Sequence, residues 1–284
     1  MKSISWVRTM NSPYTKLANP YRIWLYILVF IPMIGLVALG FTNLTSSISF
    51  NSLSFTLENF DMFGEKSILV GFRNSFTFAA TTTVIAFFLG YLTAYLVYRS
   101  NFANKFIIMT LVILPMWSNL ILRIDALSNI MSENNILTSL IGFSPFSNIN
   151  GTPLAVIIGM VFTYVPFMIL PIYTALEKID NSLIEASADL GKTPLQTFLH
   201  VVFPLSLKGV VTGSIMVFLP TFSGFAIPKI LSKGRIVFIG NIIETKFNYT
   251  IFNDGALLAS TILLLIFGAI LLLRRFDKEG ETLL

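Results

Sequence analysis

The chain has no cysteine and a single histidine, His200, in 284 residues. The first absence excludes a disulfide framework, a thiolate metal site and a thiol nucleophile. The second leaves no H-E-x-x-H zinc motif, and a lone histidine is more often a surface residue than a ligand. Charge is scarce too. Asp, Glu, Lys and Arg make up 12% of the residues against 55% apolar, about half the charged share of a soluble domain. Lipid is therefore the solvent for most side chains. A chain of 284 residues has room for five to seven membrane helices of about 20 residues each. The net charge of +5 does not mark a nucleic-acid binder, because most basic residues flank apolar segments, where they set orientation. No internal repeat or low-complexity tract is present, and no carboxylate lies at mid-span.

What is there is a series of six apolar segments, at about 23–42, 72–98, 106–122, 153–175, 205–231 and 254–273. The first is as long as a full span, so it reads as an uncleaved helix rather than a signal sequence. Lys2, Arg8, Lys16, Arg22, Arg99, Lys105, Lys178, Lys192, Lys208, Arg274, Arg275 and Lys278 fall on one side of these segments. Lys66, Arg73, Arg123, Lys229, Lys233, Arg235 and Lys246 fall on the other. The bias predicts that both termini are cytoplasmic. Lys208 and Lys229 lie near opposite ends of the fifth segment, where long side chains can snorkel. The outer connections, 43–71, 123–152 and 232–253, exceed simple turns and are expected to carry structure. Pro32, Pro115, Pro166, Pro171 and Pro220 fall inside spans and favour kinks. Gly209 and Gly213 form a GxxxG, which supports close helix packing.

The connection between the fourth and fifth segments has its own design. Asp180 or Asn181 can cap a helix in which Leu183, Ala186, Ser187 and Leu190 share one face. Glu185 and Asp189 lie four apart on another, acidic face. Gly191 is placed to end the helix in a left-handed conformation. Thr193-Pro194 starts a second helix with Leu195, Phe198, Leu199 and Val202 as its apolar stripe, and Pro204 marks the entry to the fifth span. An interfacial hairpin would favour Lys and Arg, so the acidic face points to a protein partner. Gly191-Lys192-Thr193 looks like the end of a phosphate-binding loop. That motif needs glycine where Ala186 stands, and no strand precedes it, so this chain is read as binding no nucleotide.

Glu185-Ala186-Ser187, then Gly191, then Val201-Val202-Phe203-Pro204 resembles the EAA loop of ABC importer permeases, with Ser187 and Phe203 as mild departures. Leu114-Pro115-Met116-Trp117-Ser118-Asn119 with Leu122-Arg123 is similar to the permeases of the spermidine/putrescine (PotB) type. So are Val165-Pro166-Phe167-Met168, Leu170-Pro171-Ile172-Tyr173, Glu177-Lys178-Ile179-Asp180 and Gly240-Asn241-Ile242-Ile243. The likeness runs from about residue 70 to the C-terminus, and Phe222-Ser223-Gly224-Phe225 departs from it.

This resemblance implies an all-α integral membrane protein with six transmembrane helices, the type I ABC importer permease (MetI-like) fold. The implied layout is a cytoplasmic N-terminus (1–22), a transmembrane permease domain (23–275) with the coupling loop at 176–204, and a cytoplasmic tail (276–284). It implies a non-catalytic subunit of a bacterial inner membrane importer that takes up polyamines and carries no cofactor or metal. The implied partners are a cytoplasmic ABC ATPase dimer, a second related permease and an extracytoplasmic binding protein. Glu185, Ala186, Asp189, Gly191 and Pro204 are the expected ATPase-coupling residues. Aromatic faces attract cations, so Trp117, Tyr164, Phe167, Phe222 and Phe225, with Asn119, are the candidate substrate path. Two alternatives stay open: a permease for sulfate, molybdate or phosphonate, and an ion-coupled secondary transporter, for which a mid-span carboxylate would be usual.

Overall fold

A computed structural model describes residues 13–43, 54–102, 104–133, 135–142 and 148–276. Most of the expected N-terminal segment, including Lys2 and Arg8, and all but Phe276 of the expected tail, including Lys278, lie outside these residues. The helices run α1 (Pro13–Gly40), α2 (Lys66–Arg99), α3 (Lys105–Ile113), α4 (Leu120–Ile130), α5 (Ile136–Ile141) and α6 (Pro153–Glu177). They continue as α7 (Asn181–Asp189), α8 (Pro194–Thr197), α9 (Phe203–Ser223), α10 (Ala226–Leu231), α11 (Ile239–Asn248) and α12 (Phe252–Phe276). Five helical stretches among the described residues are long and apolar enough to cross a membrane, or six if the bent pair α3 and α4 counts as one span.

The described residues within Met1–Met62 and Lys246–Leu263 form one compact unit. There, α1 exposes apolar side chains such as Tyr21, Trp24, Ile31 and Ile34, as suits a helix whose solvent is as apolar as leucine. Its end is held by Asn59, whose Nδ2 donates to the carbonyls of Gly40 and Thr42, each at 2.9 Å. Asn253 Nδ2 donates to Asn59 Oδ1 at 2.8 Å. Beside it, Lys246 pairs with Asp254 at 2.7 Å.

The described residues within Phe63–Thr245 and Leu264–Leu284 form the other unit. Its frame is the mutual packing of α2, α6 and α9. One core gathers Met168, Ile172, Leu176, Val202 and Val217. A second gathers Ile124, Met160, Leu231 and Phe238. The GxxxG has the expected consequence. A Cβ on Gly209 would come within 2.5 Å of the Pro171 carbonyl oxygen and 2.7 Å of the Ala175 Cβ, so α9 lies directly on α6. Pro166 and Pro171 both sit inside the unbroken α6.

Two spans differ from the sequence expectation. The third is not one helix over 106–122. It breaks after a 3-10 turn, Leu114–Trp117, and resumes as α4 at an angle of 91°. Pro115 has no N–H to continue the α-helical ladder, and Asn119 caps a new helix instead. The fifth does not run unbroken to 231. It stops at Ser223, and residues 224–225 separate it from α10. At its other end it is longer than expected, because a helical rod of 30 residues runs from Pro194 to Ser223. The three long connections expected on that side carry structure among the described residues: a 3-10 turn at Glu58–Gly64, then α4 and α5, then α11.

Gly209→Ala forces a methyl against the α6 backbone, which cannot move aside as a flexible side chain could. Overpacking of this kind costs about 1–3 kcal/mol. The variant is expected to lower the thermal midpoint of the purified protein in detergent. Gly35→Ala, with nothing within 4 Å of its Cβ, is expected to leave that midpoint unchanged.

Candidate functional site

The two helix breaks are built from opposite sides of one cavity. In the third span, the Pro115 carbonyl accepts from Ser118 N at 3.3 Å and from Ser118 Oγ at 2.7 Å. The Arg123 guanidinium reaches back to donate to the same carbonyl. Asn119 Oδ1 accepts from the N–H groups of Ile121 and Leu122, at 2.9 and 3.3 Å, and so starts α4. In the fifth span, Pro220 removes a ladder donor, and α9 ends three residues later at Ser223. Non-helical backbone in a membrane protein is tolerated where it is buried in protein or lines a cavity, and residues from both breaks line one here.

The cavity has a volume of about 380 Å³. Asn119, Leu120 and Ile121 line it from one break, and Pro220, Gly224, Phe225, Ala226, Ile227 and Pro228 from the other. Met160 and Tyr164 of α6 supply the wall between them. The lining holds two aromatic rings, one side-chain amide and no ionisable group apart from the Tyr164 phenol. Such a site can hold a cation by ring faces and peptide dipoles without a fixed countercharge to trap it.

A second constellation lies at the far end of α6. Asp180 Oδ1 accepts from Ser182 N at 2.9 Å and opens α7. That backbone hydrogen bond, and then the Ser182 hydroxyl, lower the pKa of its carboxyl below the ordinary range. Gly191 has φ +77°. Its N–H donates to the Ala188 carbonyl at 2.8 Å, and the Lys192 N–H to the Ser187 carbonyl at 3.2 Å. This pair of bonds is the Schellman stop of a helix. Thr193 and Gln196 then form a reciprocal capping box, with Pro194 in the first turn. The buried Ser187 and Thr197 hydroxyls, 2.9 Å apart, tie the two arms together.

Beyond Thr197 the chain is π-helical over Phe198–Val202, and the Phe203 N–H donates to the Phe198 carbonyl. The wider turn accommodates Pro204, so the rod passes through the proline unbroken. Phe198 packs on Tyr95 at 5.0 Å and Tyr91 at 5.8 Å, and Tyr91 OH lies 2.7 Å from Ser206 Oγ. The hairpin is thus joined rigidly to both α2 and α9. Its outer surface carries Glu185, Ala186, Asp189 and Gly191, all exposed. Around them stand four exposed leucines, Leu183, Leu190, Leu195 and Leu199.

Residues 86–278 match the family described as binding-protein-dependent transport system inner membrane component. The chain belongs to that family. The permease is 33% identical over 228 residues to the spermidine/putrescine transport system permease protein PotB of Haemophilus influenzae, 79% of each chain. It is 31% identical over 229 residues to PotB of Escherichia coli, covering 79% of this chain and 82% of that one. Among solved structures, a chain of a bacterial ABC transporter involved in the import of the acidic polysaccharide alginate superposes with a TM-score of 0.72 at 17% identity, covering 93% of this chain and 96% of that one. A chain of the MetNI methionine ABC transporter gives 0.52 at 20% identity, over 73% and 91%. The fold is that of a type I, MetI-like importer permease.

Within the permease, the cavity collects Asn119, Tyr164 and Phe225 from the expected path and leaves out Trp117, Phe167 and Phe222. Trp117 is 87% exposed, because the 3-10 turn swings it outward. Phe222 is buried against Phe218 and Phe72. Phe167 sits behind Tyr164, 6.0 Å from its ring. Sequence reading missed Met160, Gly224 and Pro228. The signal was present in Pro220, Gly224 and Pro228, three helix breakers at four-residue spacing. The hairpin's apolar positions divide between two surroundings. Ser187, Phe198 and Val202 turn inward, while Leu183, Leu190, Leu195 and Leu199 stay outside. Lys229 does not snorkel alone but pairs with Glu244 at 2.6 Å.

A Cβ on Gly191 meets nothing within 4 Å, so substitution there strains the backbone without a clash. The left-handed penalty of about 1–2 kcal/mol applies to Gly191→Val and much less to Gly191→Asn. Trypsin cleavage at the adjacent Lys192 follows the population of the opened hairpin. Cleavage is expected to be about 5- to 30-fold faster in Gly191→Val than in the unaltered chain, and close to the unaltered rate in Gly191→Asn.

Proposed function

We propose that this permease forms half of the membrane path of an ATP-driven importer of polyamines such as spermidine and putrescine. The observation that carries the reading is the cavity between the two helix breaks, lined by Tyr164 and Phe225 and without a fixed charge. The PotB relatives supply the substrate class. A polyamine must shed water to cross. Ring faces and exposed backbone dipoles replace that water with several weak contacts, so the cation is compensated without being held. Discontinuous helices around a midplane site are a recurrent way to provide such dipoles. An anion path would be expected to be lined by basic side chains, and the one that stands nearby, Arg123, donates to the Pro115 carbonyl and is not part of the lining.

Both termini lie in the cytoplasm in this reading, which puts the 176–204 hairpin there as well. Glu185, Asp189 and the four exposed leucines suit a cleft on an ATPase subunit, with Ala186 at the contact and Gly191 fixing the turn. Movement of the hairpin passes through the π-helical turn and Pro204 into α9, whose other end forms a wall of the cavity. A second related permease completes the path, and an extracytoplasmic binding protein delivers the substrate.

The test is ATP-dependent uptake by vesicles containing the permease with its ATPase, second permease and binding protein. Saturable spermidine or putrescine uptake is expected. Glu185→Lys reverses charge at the partner contact and is expected to reduce that uptake at least tenfold while the chain still inserts. Sulfate or phosphonate uptake without polyamine uptake would overturn the substrate, and full activity of Glu185→Lys would overturn the coupling role.

A further inference from the structure

Helix α11 has none of the roles above, yet three contacts tie it to the cavity wall. The first is a close approach. A Cβ on Gly240 would lie 2.9 Å from the Gly224 carbonyl oxygen, so only glycine lets α11 reach the break. The second is Asn241. Its Nδ2 donates to the Phe225 carbonyl at 2.9 Å, and its Oδ1 accepts from Phe238 N at 3.3 Å. The third is the Lys229–Glu244 ion pair at 2.6 Å, which links α10 to α11. An exposed pair of this kind contributes little, so Asn241 is the specific link.

The start of α11 is itself held by α2. Ser75 Oγ accepts from Ile239 N at 3.0 Å, and Asn74 Nδ2 donates to the Val237 carbonyl at 3.0 Å. Asn241 therefore joins a fixed frame to the edge of the cavity. The edge needs it. Phe225 stands with Gly224 between α9 and α10, at φ −124° and ψ −30°, with no side-chain cap of its own. Its carbonyl accepts both the Lys229 N–H of α10, at 3.1 Å, and Asn241 Nδ2, so the peptide plane next to its ring is held from α10 and from α11 together, and Asn241 is the hold that comes from outside its own helix.

We propose that Asn241 is a positioning residue. Through the Phe225 carbonyl it sets the Phe225 ring in the cavity, and so sets how a polyamine is held there. The second half of this inference rests on the cavity being the substrate path. Asn241→Asp separates the two bonds, because it keeps the acceptor for Phe238 and replaces the donor to Phe225 with a carboxylate oxygen. Asn241→Ala removes both.

Two readouts in the assembled transporter test the proposal. Phe225→Cys, in a chain with no other cysteine, reports how the side chain at 225 is presented by its labelling rate with a small thiol reagent and needs no substrate. Adding Asn241→Asp or Asn241→Ala is expected to change that rate about threefold or more, the scale of one lost hydrogen bond. The rate at a control, Leu122→Cys, is expected to stay the same. With Phe225 intact, Asn241→Asp is expected to raise KM for spermidine uptake about fivefold while kcat stays within about twofold. If Asn241 only caps α11, Asn241→Asp leaves the labelling rate unchanged, and that result overturns the proposal whatever uptake shows. Changed labelling with unchanged KM supports the positioning of Phe225 and overturns the reading of the cavity as the path.

Discussion

A backbone carbonyl or amide left open in hydrocarbon costs several kcal/mol, and this chain interrupts its helices once within a candidate span, between α3 and α4, and once at the end of another, after Ser223. Every other feature of the larger unit follows from how those openings are satisfied. At 114–119 the Pro115 carbonyl takes donors from Ser118 and Arg123, while Asn119 accepts the first amides of α4. At 223–225 the α11 side contributes Asn241 and the space above Gly240. Residues from both breaks line a cavity of about 380 Å³. The breaks are therefore both the structural burden of the fold and the source of its polar surface.

The same economy appears at the other end of α9. A continuous α-helix would collide with the Pro204 ring, and a full break would disconnect the hairpin from the span. The π-helical turn at Phe198–Val202 avoids both. Its carbonyl pattern shifts by one residue, Phe198 docks between Tyr91 and Tyr95, and the rod stays whole from Pro194 to Ser223. One rigid element thus connects the proposed ATPase contact to the Gly224 break. The close seat of Gly209 and Gly213 on α6 makes α9 move together with α6.

Much of this was legible in the sequence because it depends on local chemistry. The apolar runs gave the spans. Thr193-Pro194 and Gly191 announced the turn, since a capping threonine, a first-turn proline and a left-handed glycine each act over a few residues. The EAA pattern gave the family before any geometry was seen. What sequence could not show depends on residues far apart in the chain. Pro115 and Pro220 look like kinks that membrane helices tolerate. Only the approach of 224 to 240, and of 119 to 164 and 225, makes them two sides of one cavity. Trp117 read as part of the path with Asn119, two residues on, but the 3-10 turn sends the two side chains in different directions. Leu190 and Leu195 read as members of apolar faces, and periodicity identifies such a face without saying what covers it.

Substrate protection tests the central claim most directly. Ala226 lines the cavity and carries none of the proposed contacts, so a single Ala226→Cys in the assembled, binding-protein-supplied transporter can be labelled during turnover. The account predicts that spermidine slows this labelling in a saturable way and that sulfate leaves it unchanged. A labelling rate indifferent to spermidine, in a preparation that still imports it, would contradict the claim that the substrate passes between the two breaks.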